Sequence, residues 1–392
     1  MRRGRRACRP GGTAAARGDG RGPPEYEDIY GELASKLEEI GSRLDRSWDG
    51  EKHGTVFSVE LTIANGNRGE ILLEEQTFAA IETALASLKG LGVGGITLSV
   101  LYPTLNPEFP RSGEYLEFYR KVAARAKAMG FTLIVGTTTV FPNPEISPFG
   151  VDYGGLTLQE YISEKRAMVE KVLRELAPHF LTVENEPATQ RANTGLAFSV
   201  ADQPAIVNGI LSGLDRAGTK IGAGAGSWDD LAYFESLAAN TDLDYLDIHF
   251  YPIQGDLLID RAERIAQMAR SAGKGVSVSE AWLYKTSTSE LSRYQDPATA
   301  IAIFARNAYS FWAPLDQAFL EVMVKSSHYL ELQFLSPFWL QYLYAYLDYD
   351  ESTRNMGYEE IQKMSGAAAW PNIQAGSLSS TGKYYQSLIT DP

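Results

Sequence analysis

Two glutamates in this chain stand where paired carboxylates can do chemistry. Glu186 follows Asn185 in FLTVENEP, and Glu280 closes the apolar run GVSVSE. Each occupies the last residues of a segment that reads as a buried β-strand. Positions 186 and 280 lie 94 residues apart, a gap that fits three βα units. In a (β/α)8 barrel the C-terminal ends of all strands open on one face, so carboxylates from distant strands can meet there. Two such glutamates could meet across a sugar ring, and paired carboxylates are what cleavage of a glycosidic bond needs. Burial at the rim would raise the pKa of Glu186, because its charged form loses hydration, and that suits a general acid working near neutral pH.

The elements that must position this pair follow an alternating pattern. From Val56 onward, short apolar runs alternate with amphipathic stretches, the signature of βαβ units and a parallel sheet. Eight strands are expected, over 56–63, 95–103, 131–139, 180–187, 220–226, 245–252, 275–284 and 332–339. Helices are expected over 73–89, Gly113 to Met129, 157–176, 202–217 and 257–272, then from about Ala298 with an interruption at Pro314, and last over 382–389. Thr157 and Glu160 have capping-box spacing. The glycines of KIGAGAG leave room for a backbone or a ligand to come close. The fold class predicted is α/β: a single-domain (β/α)8 TIM barrel over 54–392, led by an amphipathic helix and lead-in at 25–53 packed on the barrel floor. The loop 140–156 and the segment 349–378 are expected to wall the cleft.

Composition narrows the function classes. The chain has 392 residues, 44% of them hydrophobic, and a formal net charge of −13. Seven of its arginines fall in the first 21 residues, so the remainder is more acidic still and repels phosphate backbones; nucleic acid is not an expected partner. No apolar run approaches the roughly 20 residues of a membrane span. Residues 1–24 read as a disordered Arg/Gly/Pro leader without the apolar core of a secretion signal. Location stays open: cytoplasmic by default, secreted if the gene start is misassigned. The single cysteine, Cys8, lies in that leader, and four histidines leave little for a metal centre; no metal or organic cofactor is expected. Nothing in the sequence fixes an oligomeric state.

Asn185-Glu186-Pro187 after a strand, His249 and Tyr251 as H-x-Y in DIHFYP, and a later apolar strand ending in Glu280 together resemble the retaining glycoside hydrolases of clan A. Those are (β/α)8 enzymes that include cellulases, mannanases, galactanases and β-glycosidases. The resemblance covers about residues 54–390. It implies Glu186 as acid/base, Glu280 as nucleophile and Asn185 as partner of the sugar 2-hydroxyl. His249 and Tyr251 would line the subsite, with Tyr251 holding the nucleophile. It also implies Trp339 as a platform beneath the sugar, with Trp282 and Trp228 as further stacking candidates. Tyr102 and Glu60, at strand ends two and one, are candidate partners of sugar hydroxyls. The arginine near strand two and the histidine after strand three of the cellulase-like branch are missing here, which leaves Tyr102, Thr138 or Thr139 to build that subsite.

The function expected is a retaining glycoside hydrolase acting on a β-linked carbohydrate. Two alternatives stand beside it: a carbohydrate-binding barrel without turnover, and a metal-dependent barrel enzyme such as a sugar isomerase or deacetylase, which would need several His, Asp or Glu ligands at strand ends.

Overall fold

The computed structural model describes residues 22–148, 150–254, 259–293 and 297–390. Eight parallel strands close in sequence order into a barrel: β1 Val56–Glu60, β2 Gly95–Ser99, β3 Thr132–Gly136, β4 Phe180–Glu184, β5 Lys220–Gly226, β6 Tyr245–Phe250, β7 Gly275–Ala281 and β8 Phe334–Pro337. The helices are α1 Glu27–Ser47, α2 Glu75–Leu91, α3 Ser112–Ala128, α4 Leu158–Lys171, α5 Pro187–Thr194, α6 Gln203–Leu211 and α7 Leu231–Asn240. They continue as α8 Asp260–Ser271, α9 Thr288–Leu291, α10 Pro297–Arg306, α11 Ala313–Tyr329, α12 Tyr358–Ala375 and α13 Ser380–Thr390. The barrel is the one predicted, and α4 begins with the predicted Thr157/Glu160 capping box.

The inside of the barrel changes character along its axis. At its base Ile134, Phe180, Tyr245 and Phe334 pack with Val56 as a cluster separate from the main core. The rings of Phe180 and Phe334 meet edge to face with centroids 4.9 Å apart, a favoured aromatic geometry. One layer further along the strands the interior is polar: Thr97 donates to Ser336 at 2.9 Å, and Thr182 and Tyr245 pair their hydroxyls at 2.9 Å. Carboxylates and an imidazole then line the C-terminal mouth.

Two bulges re-aim the strands that carry the paired glutamates. On β4, Thr182 pairs with Gly222 but Glu184 already pairs with Ala223, so one extra residue lies in β4. Glu184 is thereby turned outward to α4, where Tyr161 donates to it at 2.7 Å. On β7, Ser277 pairs with Asp247 and Glu280 with His249, again one residue more than the partner strand holds. Consecutive residues Ser279 and Glu280 both reach the mouth as a result, the effect expected of a bulge at a barrel rim. On β5, a Cβ on Gly224 would lie 1.7 Å from the Asp247 carbonyl oxygen and one on Gly222 would lie 2.1 Å from the Tyr245 ring. Those glycines admit β6 rather than a ligand.

Several expectations are corrected. Helix α1 lies along α11 on the barrel wall, not on the floor. It buries Ile29, Leu33, Leu37, Ile40 and Leu44 there, and Tyr30 stacks on Trp312 with centroids 5.8 Å apart. Pro314 starts α11 instead of interrupting a helix, because proline fits the first turn, where an N–H has no partner to lose. The segment 349–378 contains α12, which packs on α2 and α10. Helices α5 and α7 have no counterpart in the sequence reading. Residues 1–21 of the expected leader, Cys8 among them, and residues 257–258 of the expected helix 257–272 lie outside the described residues. Among the described residues no helix is long and apolar enough to cross a membrane.

Candidate active site

Glu186 sits between β4 and α5, where Pro187 begins the helix. Its backbone is left-handed, with φ 43°, a conformation that costs a non-glycine residue free energy and that clusters at functional positions. Thr189, one turn on, donates to Glu186 Oε2 at 2.7 Å. The other oxygen, Oε1, lies 2.8 Å from Nδ1 of His249.

His249 comes from β6 and is buried. Its Nε2 meets Ser279 Oγ at 2.9 Å and the side-chain amide of Asn185 at 3.1 Å. Ser279 in turn donates both its hydroxyl and, at 2.9 Å, its backbone N–H to the fully buried Asp247. From the same ring, Nδ1 lies 4.0 Å from Glu280 Oε2. The hydroxyl of Tyr251 donates to Glu280 Oε1. One ligating atom from each of Glu186, His249 and Glu280 lies within 4.8 Å of the others, the only such cluster of three or more His, Cys, Asp or Glu groups among the described residues. The strand ends thus bring Asn185, Glu186, His249, Tyr251 and Glu280 into one constellation.

Electrostatics distinguish the two carboxylates. Burial pushes both upward, but the hydrogen bond and positive charge of His249, with the Thr189 hydroxyl, hold Glu186 below the usual carboxylate range. The expectation that burial would leave Glu186 raised is therefore reversed by one neighbour. Glu280 is raised to about 7: burial and the charge of Glu186 outweigh His249 and the Tyr251 hydroxyl. Burial opposes the charge on His249, yet Glu280, Asp247 and Glu186 together lift its pKa well above the ordinary value. The resting site therefore keeps a proton on the imidazole, hydrogen-bonded to Glu186.

The remaining candidates divide. Trp228 is half-buried and its ring centroid lies 6.1 Å from that of Tyr251. Trp339, also half-buried, stands at the end of β8 with its ring edge to face against Phe338 at 4.7 Å. Glu60 points inward from β1, close enough for the charges of Glu280 and His249 to act on it. Two candidates lie away from the constellation. Trp282 is fully buried against Tyr342 and Lys285. Tyr102 gives its hydroxyl to Glu164 of α4 at 2.6 Å and packs between Tyr153 and Tyr161. Thr139 accepts from Asn193 of α5 at 3.1 Å, and Thr138 is half-buried. Asp247, Ser279 and Thr189 escaped the sequence reading. Asp247 was legible by strand alternation, two residues before His249; Ser279 was not, because only the bulge lets it and the adjacent Glu280 face the same side.

No protein-family model and no curated protein matches the chain. Solved structures do share its fold. A GH5_18 protein from Bifidobacterium longum subsp. infantis is similar with TM-score 0.55 and 14% identity, covering 85% of this chain and 78% of that one. A GH5_18 variant from Bifidobacterium longum subsp. longum, solved in complex with Manβ1-4GlcNAc, has TM-score 0.56 and 14% identity over 85% and 77%. An exo-β-1,4-mannosidase from Opitutaceae bacterium strain TAV5 has TM-score 0.53 and 11% identity over 87% and 60%. At such identities the likeness establishes the fold alone: the chain is built on the same closed (β/α)8 barrel as these proteins.

Proposed function

We propose that the chain is a retaining glycoside hydrolase of the clan A type that cleaves a β-linked glycoside by double displacement. The observation that carries this reading is the approach of Glu186 and Glu280 to within 4.8 Å, atom to atom, in keeping with the roughly 5–5.5 Å separation of carboxyl groups in retaining enzymes. Tyr251 occupies Oε1 of Glu280, which leaves Oε2 for attack on the anomeric carbon. As the glycosidic C–O bond breaks, Glu186 protonates the departing oxygen, and the proton it needs is held on His249 Nδ1, 2.8 Å away. In the second half, water attacks the glycosyl–Glu280 ester, and Glu186 takes its proton.

The same reading assigns Asn185 to the sugar 2-hydroxyl. Its side-chain amide is buried beside the catalytic pair, 3.1 Å from His249 Nε2. Trp339 and Trp228 offer ring faces to the sugar. The similar structures include one bound to Manβ1-4GlcNAc and a β-1,4-mannosidase, so β-mannosides stand first among the substrates to try, ahead of β-glucosides and β-galactosides.

The test is the anomeric configuration of the first product, followed by proton NMR on an aryl β-glycoside that the protein turns over. Retention gives the β-anomer first. An initial α-product would contradict the double displacement, and binding without any release of sugar would favour a carbohydrate-binding barrel. The Glu186, His249 and Glu280 atoms are also close enough together to ligate one cation, which keeps the metal-dependent reading open to a chelator test.

A further inference from the structure

Glu60 has no part in the double displacement, yet it is a carboxyl group with 2% exposure inside the barrel mouth. An acid in that position is stabilised poorly unless something pairs with it. Two donors do, and both use the same oxygen. Ser99 Oγ donates to Oε1 at 2.8 Å, and Asn65 Nδ2 donates to Oε1 at 3.3 Å. The orientation of the Asn65 amide is fixed from its other end, where Oδ1 accepts from the Asn67 backbone N–H at 3.0 Å. With Oε1 engaged twice as an acceptor, Oε2 is the oxygen left to carry a proton.

Charge acts in the same direction. Burial, helped by Glu280 on β7 and opposed by His249 on β6 and by the two hydrogen bonds, raises Glu60 to about 8. The remaining titratable group coupled to it is Tyr119 of α3, buried and itself neutral. A neutral acid beside the nucleophile adds no charge that would hinder ionisation of Glu280. It also supplies a strong O–H donor where a carboxylate would supply only acceptors.

We propose that Glu60 reads the sugar at the cleavage position as a neutral carboxylic acid, donating from Oε2 to one hydroxyl of that sugar. The inference rests on the glycosidase reading and deepens it. Glu60 becomes a specificity residue that selects a neutral sugar bearing a hydroxyl at one ring position and discriminates against the analogue that lacks it.

The experiment pairs variants of Glu60 with substrates that lack single hydroxyls. The aryl β-glycoside cleaved best by the wild type is prepared as its set of monodeoxy analogues, and kcat/KM is measured with the wild type, Glu60→Ala and Glu60→Gln. Glu60→Ala is expected to lower kcat/KM on the parent glycoside by about 10- to 100-fold, the worth of one strong hydrogen bond. One analogue, and only one, should lose no further activity in that variant. Glu60→Gln, whose amide N–H can stand in for the acid O–H, should recover part of the loss on the parent. If Glu60→Ala does not fold, Glu60→Met, close in volume and without a donor, replaces it with the same expectation. Loss by the same factor for every analogue, in variant and wild type alike, overturns the proposal. If instead the wild type cleaves no glycoside, or Glu280→Gly matches it, the glycosidase reading itself fails, and that outcome is distinct from uniform analogue losses.

Discussion

Nδ1 of His249 lies 2.8 Å from Oε1 of Glu186, much nearer than the 4.0 Å that separates it from Glu280. That asymmetry sets the resting protonation of the site. Glu186 is held low by the imidazolium while Glu280 is raised to about 7. Since the nucleophile must be ionised, kcat/KM should fall as pH drops below about 7.

Tyr251→Phe should move that limb. The tyrosine hydroxyl donates to Glu280 and lowers its pKa, so its removal shifts the acidic limb of the kcat/KM profile to higher pH. Activity on the alkaline side should also fall by about 10- to 100-fold, the worth of a hydrogen bond to a charged group. A pH–rate profile unchanged in position would deny Tyr251 this role.

Stability should depend on pH with the opposite sign to that of an ordinary salt-bridged carboxylate. Burial and the charge of Glu186 push Glu280 up to about 7 in the folded chain, above the 4.5 of an exposed glutamate. Between those pH values the native state binds more protons than the unfolded one, so stability falls as pH rises through the window. Glu280→Gln removes this loss. Urea unfolding should show the variant more stable than wild type at pH 8, by on the order of 3 kcal/mol, and equal to it near pH 4. A variant less stable at pH 8 would contradict the raised pKa.

Behind β4, the Lys165 ammonium and the Glu184 carboxylate form an ion pair at 3.3 Å with both side chains fully buried, directly before Asn185 and Glu186. Lys165→Met leaves Glu184 buried and uncompensated and should cost about 3–5 kcal/mol in denaturant unfolding. Adding Glu184→Gln should recover much of that cost. Loss of only a few tenths of a kcal/mol in the single variant would mean that the pair does not hold this strand end.

Removal of divalent cations should leave the rate unchanged. Exhaustive dialysis against a chelator, followed by assay with and without added metal, separates the two-glutamate reading from a cation held by Glu186, His249 and Glu280. Activity lost to the chelator and restored by a single metal would favour the metal-dependent alternative.

The strand order, and the candidates Glu186, His249, Tyr251 and Glu280 that the structure brings together, were legible because barrel strands are near-continuous apolar runs that end in such residues: FLTVENEP, YLDIHFYP and GVSVSEAW. What stayed hidden depends on register. The bulge in β4 turns Glu184 outward, and the one in β7 lets the consecutive residues Ser279 and Glu280 both face the mouth. A pattern of period two has no term for an inserted residue. Helix α5 is only eight residues long, and α12 buries only four of its residues, so neither left a strong periodic stripe in the sequence. The reversal at Glu186 could not be read because it depends on the distance to His249, 63 residues away in sequence.

In the proposed reaction Glu280 is the group that attacks the sugar. Glu280→Gly, assayed with an activated aryl β-glycoside and sodium azide, measures this directly, because azide can enter the space left by the carboxylate. The variant should be inactive without azide, and azide should restore turnover with formation of the α-glycosyl azide. Hydrolysis at the wild-type rate by the variant in the absence of azide would contradict it.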